Sequence, residues 1–245
     1  MSWKLLSHGP IKRMRFPMPC IAPRLKRSME LRKIRRFAWC SSLPRVTHSL
    51  LETIWRIFVS AATGKGDGLA AHGFIDALGR ADKPIVAAVP GLAVGVGTTM
   101  LLHCDLVYLA EGATLSTPFV NLALVAEVAS SMLLPARIGH VRAFAMFALG
   151  ETISAAEALS LGLANKVLPK DKVLPAARQA ARTLATRPLG AIVATKRLMR
   201  DKQRILGRMA EEGAVFAQRL QTNEAREAFK AFAERRKPDF TKLAS

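Results

Sequence analysis

Cysteine, long apolar runs and acidic side chains are what this chain has little of. Its three cysteines, Cys20, Cys40 and Cys104, make neither an even set nor a metal-binding spacing. That argues against a disulfide scaffold or a metal centre and for a reducing, cytoplasmic setting. The longest apolar candidate, Ile85 to Leu102, is broken by Pro90, Gly91, Gly95 and Gly97, short of the ~20 residues that a bilayer span needs. No membrane partner is expected. Acids number 18 against 37 Lys and Arg, a formal net charge of +19, a balance that raises nucleic acid as a partner. The excess is uneven. Residues 1–60 carry 13 Lys/Arg against 2 acids, and residues 61–245 carry 24 against 16. An argument from charge is therefore an argument about the first quarter of the chain.

Residues 1–61 read as a basic segment without the marks of a packed domain. Apolar residues there keep neither a 3.6 nor a 2 period, and prolines at 10, 17, 19, 23 and 44 interrupt any helix. Three readings stay open from the residues: a basic nucleic-acid arm, an Arg-rich, acid-poor transit peptide, or sequence never selected to fold. From Ala62 the texture changes. Leu69–Leu78 reads as a helix. Ile85–Val89 is a short, branched, wholly apolar run, the pattern of a strand buried on both faces of a parallel sheet. Pro90-Gly91 breaks it, Gly95-Val96-Gly97 opens a helix to about Cys104, and Leu106–Leu109 and Ala113–Ser116 read as further strands. Strand and helix alternate, which makes the class α/β. The chain divides into the basic segment, a core over 62–185 and a helical region over 186–245.

Helix signals are plain in the second half. Ser154 with Glu157 three residues on is a capping-box spacing, and Gly162 ends the helix that follows. Leu174–Thr186, Leu189–Gln203, Ile205–Gln221 and Ala225–Arg236 read as helices, the middle two with basic outer faces.

The stretch Lys83-Pro84-Ile85-Val86-Ala87-Ala88-Val89-Pro90-Gly91-Leu92-Ala93-Val94-Gly95-Val96-Gly97 resembles the K-P-x-I-A-A-V-x-G-x-A-x-G-x-G signature of the crotonase superfamily, the enoyl-CoA hydratases and isomerases. Cys104-Asp105 through Ala110 is similar to the strand that follows it, and Thr117-Pro118-Phe119 through Glu127 to the active-site loop. Ile153–Val167 and Phe229–Phe240 match later blocks, in family order, across roughly 180 residues. The resemblance implies a spiral of strand–strand–helix units with C-terminal helices that trimerise, as a homotrimer or hexamer. It also implies an acyl-CoA substrate, with coenzyme A part of that substrate and no separate cofactor. The shared chemistry is an enolate whose oxygen is held by two backbone N–H groups; one donor here is Val96, with Gly95 and Gly97 shaping the turn. Read without the family, that glycine pair does no more than allow close helix–strand packing.

The two glutamates of the hydratases fall on Thr99 and Phe119, neither of which moves a proton. The loop's other acid, Glu127, has the position of the single catalytic glutamate of Δ3,Δ2-enoyl-CoA isomerases. The expectation is therefore a double-bond shift with Glu127 as base, and Thr99, Phe119 and Leu124 lining the pocket. Alternatives are hydration or another crotonase reaction, or a non-catalytic basic protein that binds nucleic acid. Taken alone, Glu127 is a solvated loop acid, His103 and His140 are surface or packing residues, and Arg235, Arg236 and Lys237 are a helix end or a basic tail toward the CoA phosphates.

The family's opening K-N-A-L segment and its F-x-S/A-G-x-D strand, which supplies the second oxyanion N–H, have no counterpart in residues 1–60. Their spacing before Lys83 is nevertheless kept. A one-base shift in reading frame accounts for this. Joining the last base of each codon to the first two of the next permits K-N-A-L-S-D-A-M-Y from Lys12 to Ile21. From Trp39 to Phe58 it permits V-L-L-T-(A/S)-A-G-D-S-F-T-S-G-N-D-M-A-D-F. On this reading the first strands are missing or disrupted, and the chain is poorly folded and nearly inactive. Sequencing the codons tests it: Val46–Phe58 spell S-G-N-D in the shifted frame, and codons unable to do so exclude the idea.

Overall fold

The computed structural model describes Ser2–Lys4, Ala38–Ser41 and residues 68–241. The larger of two sheets has five strands in the order β1-β2-β3-β5-β8, and the smaller has β4-β6-β7. In the large sheet β1 is Ser2–Lys4, β2 Ala38–Ser41, β3 Ile85–Val89, β5 Leu106–Ala110 and β8 Lys166–Leu168. In the small one β4 is Leu92–Val94, β6 Thr114–Ser116 and β7 Thr152–Ser154.

All five residues of β3 are buried, as a strand covered on both faces requires. It pairs in parallel with β2 on one side and with β5 on the other, Val86 opposite Leu106 and Val89 opposite Leu109. The basic segment thus contributes two short strands to the sheet. One of them, Ala38–Ser41, pairs with β3 along its whole length, Trp39 opposite Val86 and Cys40 opposite Ala87.

The helices are α1 Gly68–Arg80, α2 Val96–Thr99, α3 Ser130–Ile138, α4 His140–Phe144, α5 Ala155–Ser160, α6 Lys170–Ala185, α7 Leu189–Met199, α8 Lys202–Leu220 and α9 Asn223–Ala233. Helix α2 tightens into a 3-10 turn over Met100–His103, and α4 runs into a π turn over Ala145–Leu149. Helix α6 packs across β3 and β5. It starts four residues before the expected Leu174 and accommodates Pro175 within it. Pro175 lacks one intrahelical donor, but Val173 in the preceding turn is buried against the core, which holds that turn helical.

Short strands escaped the sequence reading. Strands β4 and β7 have three residues each, too few to display a period of two. The expected break between the two long C-terminal helices falls at Arg200-Asp201 rather than at Arg204. Asp201 caps α8 by accepting from the Arg204 amide at 2.9 Å, and Arg200 is extended. The capping box at Ser154 is present on both sides: the Glu157 amide donates to Ser154 Oγ at 3.2 Å, and the Ser154 amide to Glu157 Oε2 at 2.7 Å.

The basic faces of α7 and α8 are not all outward. Lys196 is 7% exposed. Its Nζ donates to Asp105 Oδ2 at 2.7 Å and to the Lys83 carbonyl at 2.8 Å. Asp105 Oδ2 also accepts from the Ile85 amide at 2.6 Å, so one carboxylate joins the starts of β3 and β5 to α7. Lys196 is the buried member and Asp105 the more exposed one, so removing the carboxylate, which strands a buried ammonium, is the costlier way to break the pair.

Candidate active site

The site begins at a turn only glycine adopts with ease. Gly95 has φ 56° and ψ −121°, outside the regions open to residues with a Cβ. Its amide donates to the Ser116 carbonyl at 3.0 Å, and its own carbonyl accepts from Thr98 and Thr99 at 2.9 and 3.0 Å. Val96 and Gly97 therefore open α2, where the first amides have no intrahelical acceptor. Val96 is half-buried and Gly97 buried. A free amide in a largely dry turn is the kind of donor that an oxyanion needs.

Helix α2 and the 3-10 turn that continues it are tied to strands β4 and β6 at one end and to the loop 117–129 at the other. At the start, the Thr98 hydroxyl lies 2.7 Å from the Ala93 carbonyl and 2.9 Å from that of Ser116, and accepts from the Ser116 amide at 3.2 Å. At the far end, His103 Nε2 lies 2.7 Å from the Val128 carbonyl. The Arg200 guanidinium bonds His103 Nδ1. Because guanidinium only donates, Nδ1 is the acceptor and Nε2 carries the proton given to Val128. Burial, with the Arg200 charge second, pushes His103 down to about 4, so the ring is neutral at physiological pH. His103 is 1% exposed, a correction to the surface alternative: it is a buried link between the end of α7 and the loop. His140, by contrast, stands exposed at the start of α4 and stacks on Phe144.

The loop itself is bent against its sequence. Ala123, Val128 and Ala129 have φ of 56°, 64° and 55°, each a left-handed conformation costing about 1–3 kcal/mol for a residue with a Cβ. For branched Val128 it is a marked outlier. Such strain persists where the surroundings impose it, and Glu127 stands immediately before two of these residues. Glu127 is half-buried. Burial raises its carboxyl to about 7, and the negative charge of Glu212 adds to the shift. It is not a solvated loop acid.

Thr99, Phe119 and Leu124 are 0%, 4% and 2% exposed. Phe119 lies 3.8 Å from where a Cβ on Gly95 would stand, so the loop touches the glycine turn directly. Its ring also faces Phe147 of the π turn, with centroids 6.4 Å apart. Phe119 and Leu124 pack with Ala225, Ala228 and Phe229 of α9 in a small second core. Among the described residues, Thr99 Oγ1 has one hydrogen-bond contact, with the Val96 carbonyl at 3.5 Å. Arg236 is held by Glu227, at 2.5 and 3.0 Å, and by Glu234 at 2.6 Å.

Two residues of the site gave little sign of themselves. Glu212 on α8 is 6% exposed, and its Oε1 accepts from the Ser131 amide at 2.9 Å. Its spacing from Ile205, Met209 and Phe216 puts it on the apolar stripe of α8, which is the one cue. Arg200 reaches His103 only because the chain leaves the helix at that residue.

A family model described as enoyl-CoA hydratase/isomerase matches residues 70–243. The chain belongs to the enoyl-CoA hydratase/isomerase family. Among curated proteins it is similar to enoyl-CoA hydratase AKT3-2 of Alternaria alternata, 37% identical over 161 residues, covering 64% of this chain and 54% of the relative. It is also similar to 1,2-epoxyphenylacetyl-CoA isomerase of Escherichia coli K12, 31% identical over 179 residues, covering 67% of this chain and 63% of the relative. The chain thus spans less than two thirds of the length of these relatives. Among solved structures, an enoyl-CoA hydratase/isomerase from Pseudoalteromonas atlantica T6c is 38% identical, with a TM-score of 0.68 over 70% of each chain. The mixed α/β core with C-terminal helices is the fold of this enoyl-CoA hydratase/isomerase family.

The raised Glu127 carboxyl has a thermodynamic signature. Its pKa goes from 4.5 when unfolded to about 7 when folded, so folding favours the protonated form. The stabilisation is complete below about pH 4.5 and is lost as pH rises toward 7. His103 runs the other way, since its lowered pKa favours folding above 6.5 and that contribution fades as pH falls. Comparing wild type with Glu127→Gln isolates the first. Relative to the variant, wild type loses stability between pH 4.5 and 7 in denaturant titrations, whereas a pH-independent difference contradicts the buried carboxyl.

Proposed function

We propose that the chain acts on acyl-CoA thioesters and shifts an enoyl double bond from the Δ3 to the Δ2 position. The observation that carries this is the carboxyl of Glu127, the one acid of the loop 117–129, raised to about 7 on a strained loop that contacts the glycine turn. A base works best with a pKa near the operating pH. Glu127 takes a proton from C2, which is acidic because it lies between the thioester carbonyl and the C3–C4 double bond. Charge passes to the thioester oxygen, where the Val96 amide stabilises the dienolate. The protonated Glu127 then returns the proton at C4, leaving C2=C3. Nothing is added or lost, so no water has to be positioned.

Several relatives carry hydratase names, but hydration of C2=C3 needs groups that activate a water. The residues at those two places are Thr99, whose hydroxyl faces a backbone carbonyl, and the buried ring of Phe119. Neither is an acid or a base, which favours isomerisation. Exposed Val141, Phe144 and Leu149 on α4 and the π turn offer an apolar face for the trimeric or hexameric assembly that belongs to the same reading.

The test is turnover of 3-enoyl-CoA beside hydration of 2-enoyl-CoA by the purified chain. Isomerisation is expected to exceed hydration and to fall by roughly 10²–10⁴ in Glu127→Gln. With one oxyanion donor absent from the written sequence, the chain runs slower by about 10²–10³ than a version with codons 12–60 read in the shifted frame. Undiminished turnover in Glu127→Gln, or faster hydration, overturns the proposal. Salt-sensitive DNA binding lost with residues 1–60 supports the nucleic-acid alternative.

A further inference from the structure

Helix α3 starts without a cap of its own. Its N-cap residue is Ala129, left-handed and unable to accept a hydrogen bond from its side chain. The acceptor comes instead from α8, more than 80 residues later: Glu212 Oε1 takes the Ser131 amide at 2.9 Å. Burial raises the Glu212 carboxyl above its ordinary range, and the Ser131 hydroxyl and the Ser131 and Ala129 amides oppose that rise. Its second oxygen, Oε2, is buried and without a partner among the described residues. A buried carboxylate half-filled with donors is expensive, and a helix end alone does not account for it, because a neutral Gln or Asn would cap as well.

We propose that Glu212 is a positioning residue for the catalytic base, holding in place the strained turn Glu127-Val128-Ala129 and acting on Glu127 by charge across it. This rests on Glu127 being the base. His103 secures Val128 from one side through its carbonyl, and Glu212 secures the following residues from the other through their amides. The charged groups around the pair leave Glu212 as the one that acts on Glu127. Arg208, one turn earlier on α8, acts on Glu212 and pairs with Glu211 at 3.0 Å. Arg219 pairs with Glu224 and donates to the Ala123 carbonyl at 3.0 Å. Two nearby carboxylates cannot both ionise freely. Burial raises both carboxyls, and the Ser131 and Ala129 donors oppose that rise at Glu212, which leaves Glu127 as the member raised to about 7.

The full chain, carrying Glu212→Gln or Glu212→Ala, tests this. Carboxyl resonances read Glu127 directly by carbon NMR, assigned by their loss in Glu127→Gln. In Glu212→Gln the helix keeps an acceptor but the charge is gone, so the Glu127 midpoint moves down by roughly half a unit or more, and the acid limb of the rate profile moves with it. Glu212→Ala also frees the Ser131 amide, and kcat falls more than KM rises. An unmoved Glu127 midpoint in Glu212→Gln overturns the inference, as does a merely lower melting temperature with an unchanged pH profile. A midpoint that moves while Glu127→Gln keeps full turnover upholds the contact and refutes the base.

Discussion

The hydrogen bond between neutral His103 and the Val128 carbonyl is the constraint on which the site depends. Left alone, a branched residue at φ 64° followed by alanine at φ 55° would relax to ordinary backbone and carry Glu127 with it. The bond at 2.7 Å opposes that, and it needs the ring proton on Nε2. Arg200 enforces this tautomer, and burial keeps the second proton away. The same 3-10 turn that carries His103 continues from the helix opened by Val96, so amide donor and acid are borne by two segments that are physically joined.

The two flanks of the loop use opposite means to one end. On the His103 side, an imidazole is buried and held uncharged. On the α8 side, burial raises Glu127 to about 7, and the nearby Glu212 carboxylate adds to that rise. Desolvation contributes to both, lowering the pKa of a base and raising that of an acid. A loop acid raised toward neutrality suits the proton transfer proposed above.

Much of the core was legible in the sequence because its signals are long. Ile85–Val89 is five apolar residues in a row, and Ser154 with Glu157 is a local cap that needs no tertiary context. The site was legible only in part. Gly95 and Glu127 stand out, the one by the backbone it permits and the other by being the acid of an apolar loop. Glu212 lies beside Glu211 in a polar-looking stretch, and only the position of its neighbours on the helix face places it inward. His103 and Arg200 meet across 97 residues, which no local pattern encodes. Within residues 1–61, structure is described for Ser2–Lys4 and Ala38–Ser41 alone, and both join the large sheet; the frame reading from Lys12 to Ile21, and all of that from Trp39 to Phe58 beyond Ser41, lies outside the described residues.

A crystal structure of the chain with a non-reactive 3-enoyl-CoA analogue tests the central claim most directly. The account predicts the thioester oxygen about 2.7–3.1 Å from the Val96 amide, with the Glu127 carboxyl over the edge between C2 and C4. An acyl group bound away from the glycine turn, or Glu127 turned to solvent in the occupied site, would contradict it.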